Sequence, residues 1–328
     1  MMTKTVLGID GGGTRTRAAI MDGRGNVLGI CVGNTSNYDD IGIDAARENI
    51  RQVVDCARAK AGIPADPFDA VFLGIGGVSS ADDRAIVKKM ASDLRLAPEA
   101  TIGVDHDIRI ALAGGLSGRP GIVQIAGTGS SCYGRNAVGQ SWRSGGWGPL
   151  LADEGSGYWF GIEAMKAATM ASDGRSSETV LLPAVLDFLK LKDIDGIMHR
   201  VYVENMSRSE IASLSPLLIN AAKEGDAVSL QIVETGIQNL AQCVSIVAHK
   251  LDLMEQCELS LTGGVFQAGD FIIDRMRKAV QEQVPQCTVA MAELPPVIGS
   301  CLLALDLLDV HLTPAEVELL KRISVTLL

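Results

Sequence analysis

Two glycine-rich turns and a short acidic run are the parts of this sequence that could do chemistry. The first turn is "GIDGGGTRT" at residues 8–16 and the second is "IAGTGSS" at 125–131. A glycine turn carries no side chains to hold a ligand away, accepts positive φ, and can aim several backbone N–H groups at one point, which makes an anion nest. Neither turn matches the P-loop pattern or the dinucleotide pattern GxGxxG. The first alone reads equally well as an ordinary hairpin turn; the second tips the balance toward phosphate, because two nests facing one ligand would grip a polyphosphate. The acidic run is "VDHD", which offers Asp105 and Asp107. A carboxylate at a strand's carboxyl end can accept the proton of a hydroxyl under attack on a phosphoryl group. His106 between them reads as a structural or rim histidine. Asp107 also suits the N-cap of the helix that follows.

The elements that must position these groups alternate in a recognisable order. "KTVLGID", "TRAAIMD" and "VLGICVG" read as three antiparallel strands joined by the first glycine turn and by "GRGN". A helix follows over "GIDAARENIRQVVDCARAKAG", with Ala46, Ile50, Val53, Ala57 and Ala61 on its inner face. Then come strand "DAVFLGIGG", helix "ADDRAIVKKMASDLRL" with Ile86, Met90 and Leu94 inward, and strand "ATIGVD". The order restarts at "GIVQIAGTGSSCYGR", again strand, glycine turn, strand, with a tight turn at "NAVGQ" into a further strand. A helical region from about Ser156 to Leu253, strand "CELSLTGGVF", a helix, strand "CTVAM" and a closing helix "VIGSCLLALDLL" complete it. Two hairpins with Gly-Thr turns imply an internal duplication.

Composition narrows the partner. The chain has 328 residues, enough for two domains, and 47% are hydrophobic, which suits a packed globular fold. A formal net charge of −10 argues against nucleic acid and against an anionic membrane surface, since both are bound chiefly through Lys and Arg. A small-molecule partner is expected. The start "MMTKTVLGID" shows no leader pattern and no apolar run approaches a bilayer span, so a cytoplasmic location is expected. The seven cysteines are scattered without a Cys-x-x-Cys pair, and reduced thiols packed as small hydrophobes are expected.

Six blocks taken in order carry a family resemblance: "GIDGGGTRT", "VDHDIRIALAGG", "IAGTGSSC", "GGWGPLLADEGSGYWFG", "LTGGVF" and "PPVIGSCLLAL". Together they resemble the N-acetylglucosamine kinase branch of the BadF/BadG/BcrA/BcrD ATPases, within the actin, Hsp70 and sugar-kinase superfamily. The resemblance implies an α/β fold of two ribonuclease H-like (actin-like ATPase) domains with a central cleft, closing over an amino sugar and ATP with Mg²⁺. The domains would cover 1–116 and 117–328, the second with a helical insertion and with final helices able to pack back on the first. Gly11, Gly12, Gly13 and Thr14 would form one phosphate loop, and Gly127, Thr128, Gly129 and Ser130 the other. Gly263 and Gly264 would pass beneath the adenosine, and Asp10 would hold Mg²⁺ through water. The family pattern of an aspartate opening a small-residue helix selects Asp107 as the base, with Asp105 as fallback. Asn37, Gly146, Trp147, Gly148 and Asp153 would contact the sugar, with Glu154 read as a helix-start charge and Gly76 and Gly77 left without a firm role. The reaction implied is phosphorylation of the 6-hydroxyl of N-acetylglucosamine, by a homodimer. Glucosamine, N-acetylmuramate or another hexose is the main rival acceptor. An iron–sulfur activator is disfavoured because Cys132 stands alone after the second loop, and a non-catalytic sugar sensor is disfavoured by Asp107.

Overall fold

The computed structural model describes residues 4–324 and divides into two compact units, one formed by the segments up to Arg119 and from Ala292 onward, the other by Pro120–Met291. In the first unit, β1 (Thr5–Gly11), β2 (Arg15–Asp22) and β3 (Val27–Asn34) form the antiparallel part of the sheet. The short helix α1 (Tyr38–Ile41) and the long helix α2 (Ile43–Ala61) lead to β4 (Ala70–Ile75). Helix α3 (Ala81–Asp93) leads to β5 (Ile102–His106), and α4 (Asp107–Gly115) follows at once. The strand order is β3-β2-β1-β4-β5, with β4 parallel to β1 and β5 parallel to β4.

The sequence pattern explains these elements. β1 is the central strand, and β2 and β4 on either side of it carry long buried runs, as strands covered on both faces do. Ala46, Ile50, Val53, Val54 and Ala57 are the buried stripe of α2, and Gly62 ends the helix in the left-handed conformation at φ 64°. Helix α3 corrects its expected inner face: Val87, Met90 and Ala91 are buried, whereas Ile86 and Leu94 are only partly covered. Ile86 and Leu94 pack along the margin of the same core, and a Ser80–Asp83 capping box fixes where the helix begins.

The second unit repeats the plan. β6 (Gly121–Ala126), β7 (Ser130–Arg135) and β8 (Ser141–Ser144) are antiparallel, and β9 (Cys257–Thr262) and β10 (Cys287–Met291) add in parallel. The order β10-β9-β6-β7-β8 is the first sheet's order read from the other edge, so the ten strands fall into two copies of one arrangement. Between β8 and β9 lie α5 (Gly157–Ser172), α6 (Leu181–Leu189), α7 (Gly196–Met198), α8 (Arg208–Ala212), α9 (Ser215–Lys223) and α10 (Ala227–Lys250). Helix α11 (Asp270–Gln283) joins β9 to β10. Phe160, Leu218, Ile237, Val244 and Phe266 are among the buried residues of this unit's core.

The chain then returns to the first unit with α12 (Pro296–Asp306) and α13 (Pro314–Ser324). Helix α12 seats directly on β1 and α4. A Cβ on Gly8 would meet Cys301 N and Val297 O at 2.6 Å, and one on Gly299 would collide with Ile110 O of α4, so both glycines serve close packing. Ser300, fully buried, accepts from Ile9 N at 3.1 Å and donates to Phe72 O at 2.7 Å, pinning the helix to the strand that carries Asp10.

One expectation on the cysteines is overturned. Cys31 on β3 and Cys56 on α2 are joined by a disulfide, with Cα atoms 5.9 Å apart, because the strand packs against the helix stripe at that point. Cys132, Cys257, Cys287 and Cys301 are free and buried. Among the described residues no helix is long and apolar enough to cross a membrane.

Candidate active site

In the first unit, β1 and β2 meet at a tip of residues 12–14, closed by Gly12 N donating to Arg15 O at 3.0 Å. The glycines of this turn have different reasons to be small. A side chain on Gly11 would strike Ser36 and Ile75, so that position is fixed by packing. A Cβ on Gly12 would find only Arg15 O at 3.7 Å, and one on Gly13 nothing within 4 Å. The tip therefore presents bare backbone outward, and Thr14 beside it is exposed. Thr35 Oγ1 donates to Gly12 O at 2.8 Å and accepts from Asn37 N at 3.1 Å, which ties the turn to the "TSNY" segment. Asn37 itself caps α1, accepting from Asp39 N and donating to Asp40 at 2.7 Å. Gly77, at φ +93°, brings its backbone against Asn37: a Cβ there would sit 3.0 Å from Oδ1.

Two acids converge on the base of this turn. Asp10 is the last acid of β1 and stands opposite Arg17 in the β1–β2 register, with the guanidinium 3.3 Å from its carboxylate. Burial pushes Asp10 up to about 6, Arg17 opposes that, and the negative charge of Asp107 adds to it. Asp107 is brought close by Gly76, whose N–H donates to Gly11 O at 2.7 Å; a Cβ on Gly76 would lie 3.4 Å from Asp107 Oδ2. Loss of surrounding solvent also holds Asp107 above the usual carboxylate range, with the His106 imidazole acting against it, yet 43% of its side chain stays open. Asp105 points elsewhere, into an ion pair with Arg84 at 3.0 Å.

The N-cap of α4 is His106, not Asp107: Nδ1 accepts from Ile108 N at 3.2 Å, and Asp107 is the first residue inside the helix. His106 can take the role because its backbone is extended, at φ −71° and ψ 154°. The Asp107 carboxylate also receives the backbone N–H groups of Ile108 and of Asp107 itself, and His106 Nδ1 lies 3.4 Å from its Oδ1, so the first turn of α4 holds it in place. The donor chemistry also fits a hard divalent cation, since two oxygen acids crowd a buried place where their like charges oppose ionisation. Among the described residues no three His, Cys, Asp or Glu side chains gather as a metal cage, so such an ion would draw most of its ligands from water and phosphate.

In the second unit, residues 127–129 form the matching tip between β6 and β7, closed by Gly127 N donating to Gly129 O at 2.9 Å. The start of α5 holds the loop: Gly157 N donates to Gly127 O at 2.7 Å and Tyr158 N to Thr128 O at 3.1 Å. Ser130 Oγ donates to Glu154 O at 2.9 Å, so Glu154 contributes its backbone here, while Ser156 caps α5. Gly263, at φ +109°, follows β9 and lies against Ala126 and Gly127, where a Cβ would clash; Gly264 beside it has open space.

The "GGWG" segment runs next to this loop. Gly145, Gly146 and Gly148 all take positive φ, and Gly146 passes over Ser131, whose buried hydroxyl has no hydrogen-bond partner. Trp147 is 66% exposed, which excludes a core role, and Arg143 lies 4.8 Å from its ring centroid. Asp153 is only 3% exposed and strained at φ +71°. Its carboxylate is raised by burial and lowered by Arg208, then by hydrogen bonds from the backbone of Ser130 and Gly148. Asp153 thus ties the second turn to the "GGWG" segment. Arg208, 3.2 Å from Asp153, is the residue that sequence reading missed. "SRSE" signals a capped helix start and nothing more, and the pairing spans 55 residues.

Five strands in the order β3-β2-β1-β4-β5, repeated once, with glycine turns at equivalent hairpins, define the class of two-domain ribonuclease H-like, actin-like ATPases. The family model of the BadF/BadG/BcrA/BcrD ATPase family matches residues 7–304. The chain belongs to that family, whose name carries ATP use with it. It is 34% identical over 302 residues, 92% of this chain and 98% of the relative, to an N-acetylmuramic acid/N-acetylglucosamine kinase from Clostridium acetobutylicum. It is 32% identical over 319 residues, 93% of this chain and 99% of the relative, to an N-acetyl-D-glucosamine kinase from Dictyostelium discoideum. A solved structure from Chromobacterium violaceum, assigned as an N-acetylglucosamine kinase, superposes with a TM-score of 0.74 at 27% identity, covering 92% of this chain and 99% of that one.

Proposed function

We propose that this chain is an ATP-dependent amino-sugar kinase that phosphorylates the 6-hydroxyl of N-acetylglucosamine and releases ADP. The observation that carries the reading is the Asp107 carboxylate, held at the start of α4 with 43% of its side chain open and set beside Gly76 at the base of a bare glycine turn. In this reading Gly11 to Thr14 and Gly127 to Ser130 supply backbone N–H groups to the polyphosphate, and Gly263 and Gly264 pass beneath the adenosine. Asp107 accepts the hydroxyl proton. Its open face lets a hydroxyl approach and lets the proton pass on to solvent, and its raised proton affinity favours taking that proton up.

Asp10 is the residue to hold Mg²⁺ through water, with Arg17 setting its orientation from the neighbouring strand. The ion, when bound, would neutralise charge on the transferring phosphates. Asn37, Gly146, Trp147, Gly148 and Asp153 form the sugar contacts of the reading: an amide and a carboxylate make directional bonds to hydroxyls, and glycine backbone leaves space for an acyl group. A homodimer and a cytoplasmic location complete it, to be tested by sedimentation and by fractionation.

A second acceptor, N-acetylmuramic acid, is favoured by the Clostridium relative, which is named for both sugars. Assay of ADP release over a panel of N-acetylglucosamine, N-acetylmuramic acid, glucosamine and glucose, with NMR locating the phosphate on the product, tests the reading. Sugar-independent ADP release, or a product phosphorylated at C1, would overturn it.

A further inference from the structure

The Arg208 side chain has no place in the reading above, yet it stands where two of that reading's parts meet. Its Nη2 is 3.2 Å from Asp153 Oδ2, and its guanidinium carbon is 5.9 Å from the Tyr158 ring centroid. A Cβ on Gly129 would lie 2.9 Å from Asp153 Oδ2 and 3.6 Å from Arg208 Nη2. The absence of a side chain at residue 129 therefore leaves a way from the second glycine turn to the guanidinium. Backbone conformation does not demand glycine there, since its φ is not in the positive range.

The two partners of the ion pair are unequally placed. The Asp153 side chain is 4% exposed, fixed by backbone donors from Ser130 and Gly148, whereas Arg208 is 53% exposed. Arg208 gives one N–H to Asp153 through a single contact, although a guanidinium has five donors in a planar fork. A merely structural partner for a buried carboxylate would be expected to close on it with both arms. Here the carboxylate acts as a tether, and Nη2, the nitrogen that it holds, is also the guanidinium atom beside Gly129. Asp153 holds the arginine beside Gly129 before any ligand arrives, so little side-chain freedom is lost when one does.

We propose that Arg208 binds an oxyanion of the ligands beside the second glycine turn, with Asp153 as its tether. The oxyanion has two possible sources of the same chemistry: a phosphate of the nucleotide, or the carboxylate of an acidic amino sugar. The inference rests on the assignment of Gly127 to Ser130 and Asp153 to ligand binding in the proposed kinase reading.

The test measures binding by calorimetry on the full-length protein, separately from turnover, for Arg208→Gln and Arg208→Lys. The probes are adenosine, ADP, ATP, N-acetylglucosamine and N-acetylmuramic acid. A nucleotide source is indicated if Arg208→Gln loses about 10- to 100-fold in affinity for ADP and ATP and keeps adenosine and both sugars. A carboxylate source is indicated if the loss falls on N-acetylmuramic acid and spares N-acetylglucosamine. In either case Arg208→Lys retains part of the affinity, keeping the charge without the fork. Unchanged binding of all five probes, or an equal loss across them together with lowered thermal stability, overturns the inference. If Arg208→Gln does not fold, the Arg208→Lys series is read by the same criteria. Wild-type protein that binds nucleotide but phosphorylates no sugar would sink the kinase reading and leave the nucleotide arm of this test intact.

Discussion

Arg84 and Asp105 form an ion pair at 3.0 Å, which gives the two acids of "VDHD" different surroundings. The pair anchors the end of β5 to α3, while Asp107 turns toward Gly76 and Gly11. Asp107→Asn keeps the shape and loses the carboxylate base, so kcat should fall by ~10²-fold or more with sugar and ATP affinity nearly unchanged. Asp105→Asn should cost far less. Steady-state kinetics and calorimetry on both variants decide it; near wild-type turnover in Asp107→Asn would refute the assignment.

Gly12 and Gly11 are adjacent and should respond in opposite ways. Space at Gly12 is open to protein atoms, so Gly12→Val should fold normally and weaken ATP binding by crowding the phosphates. At Gly11 any side chain meets Ser36 and Ile75, so Gly11→Val should lose stability, on the order of 1–3 kcal/mol from overpacking. Thermal denaturation beside ATP titration separates the two. Equal ATP affinity in folded Gly12→Val and wild type would remove the turn from the nucleotide site.

Ser300 satisfies backbone groups on β1 and β4 from inside α12. Ser300→Ala leaves Ile9 N–H and Phe72 C=O buried without that partner, and about 1–3 kcal/mol of stability should be lost. Urea unfolding measures it. A change below ~0.5 kcal/mol would mean that other groups take over.

Glu293 gathers Arg119 at 2.8 Å, the Ser117 hydroxyl and Lys321 at 3.0 Å, joining both ends of the returning segment to the first unit. Burial opposes its ionisation, but the Arg119, Ser117 and Lys321 donors prevail and lower it to about 2 from 4.5. A carboxylate with a lowered folded-state pKa contributes stability above its unfolded value. That contribution fades as pH falls from 4.5 toward 2. Glu293→Gln should lower the melting temperature at neutral pH and flatten the wild-type loss over that acid interval. Identical pH–stability curves for the two proteins would contradict it.

Much of the fold is legible in the sequence because strand period and glycine turns are local signals. All ten strands fall where alternation and turn residues place them, and the duplication shows in the two Gly-Thr hairpins. What escapes is fixed by packing or by a residue in an unusual role. The centre of the inner face of α3 falls on Val87, Met90 and Ala91, with Ile86 and Leu94 at its margin, and the cap of α4 falls on a histidine, which the usual list of capping residues omits. The bond between Cys31 and Cys56 depends on how α2 lies on β3. In the site, Asp10, Gly11, Asp107 and Asp153 sit in recognisable local motifs. Arg208 sits in none, and only tertiary folding brings it to Asp153.

The first unit is made from both ends of the chain, with the whole second unit between them. During synthesis, β1 and β4 emerge before the second unit, but their α12 cover follows only after the whole of it. The inserted unit is continuous and can complete its core while Val6, Ala70 and Phe72 still await Val297, Ile298 and Cys301. Nascent protein should therefore carry an unsealed apolar face throughout synthesis of the second unit, and a chain stopped before residue 292 should be captured by chaperones rather than released as a folded half.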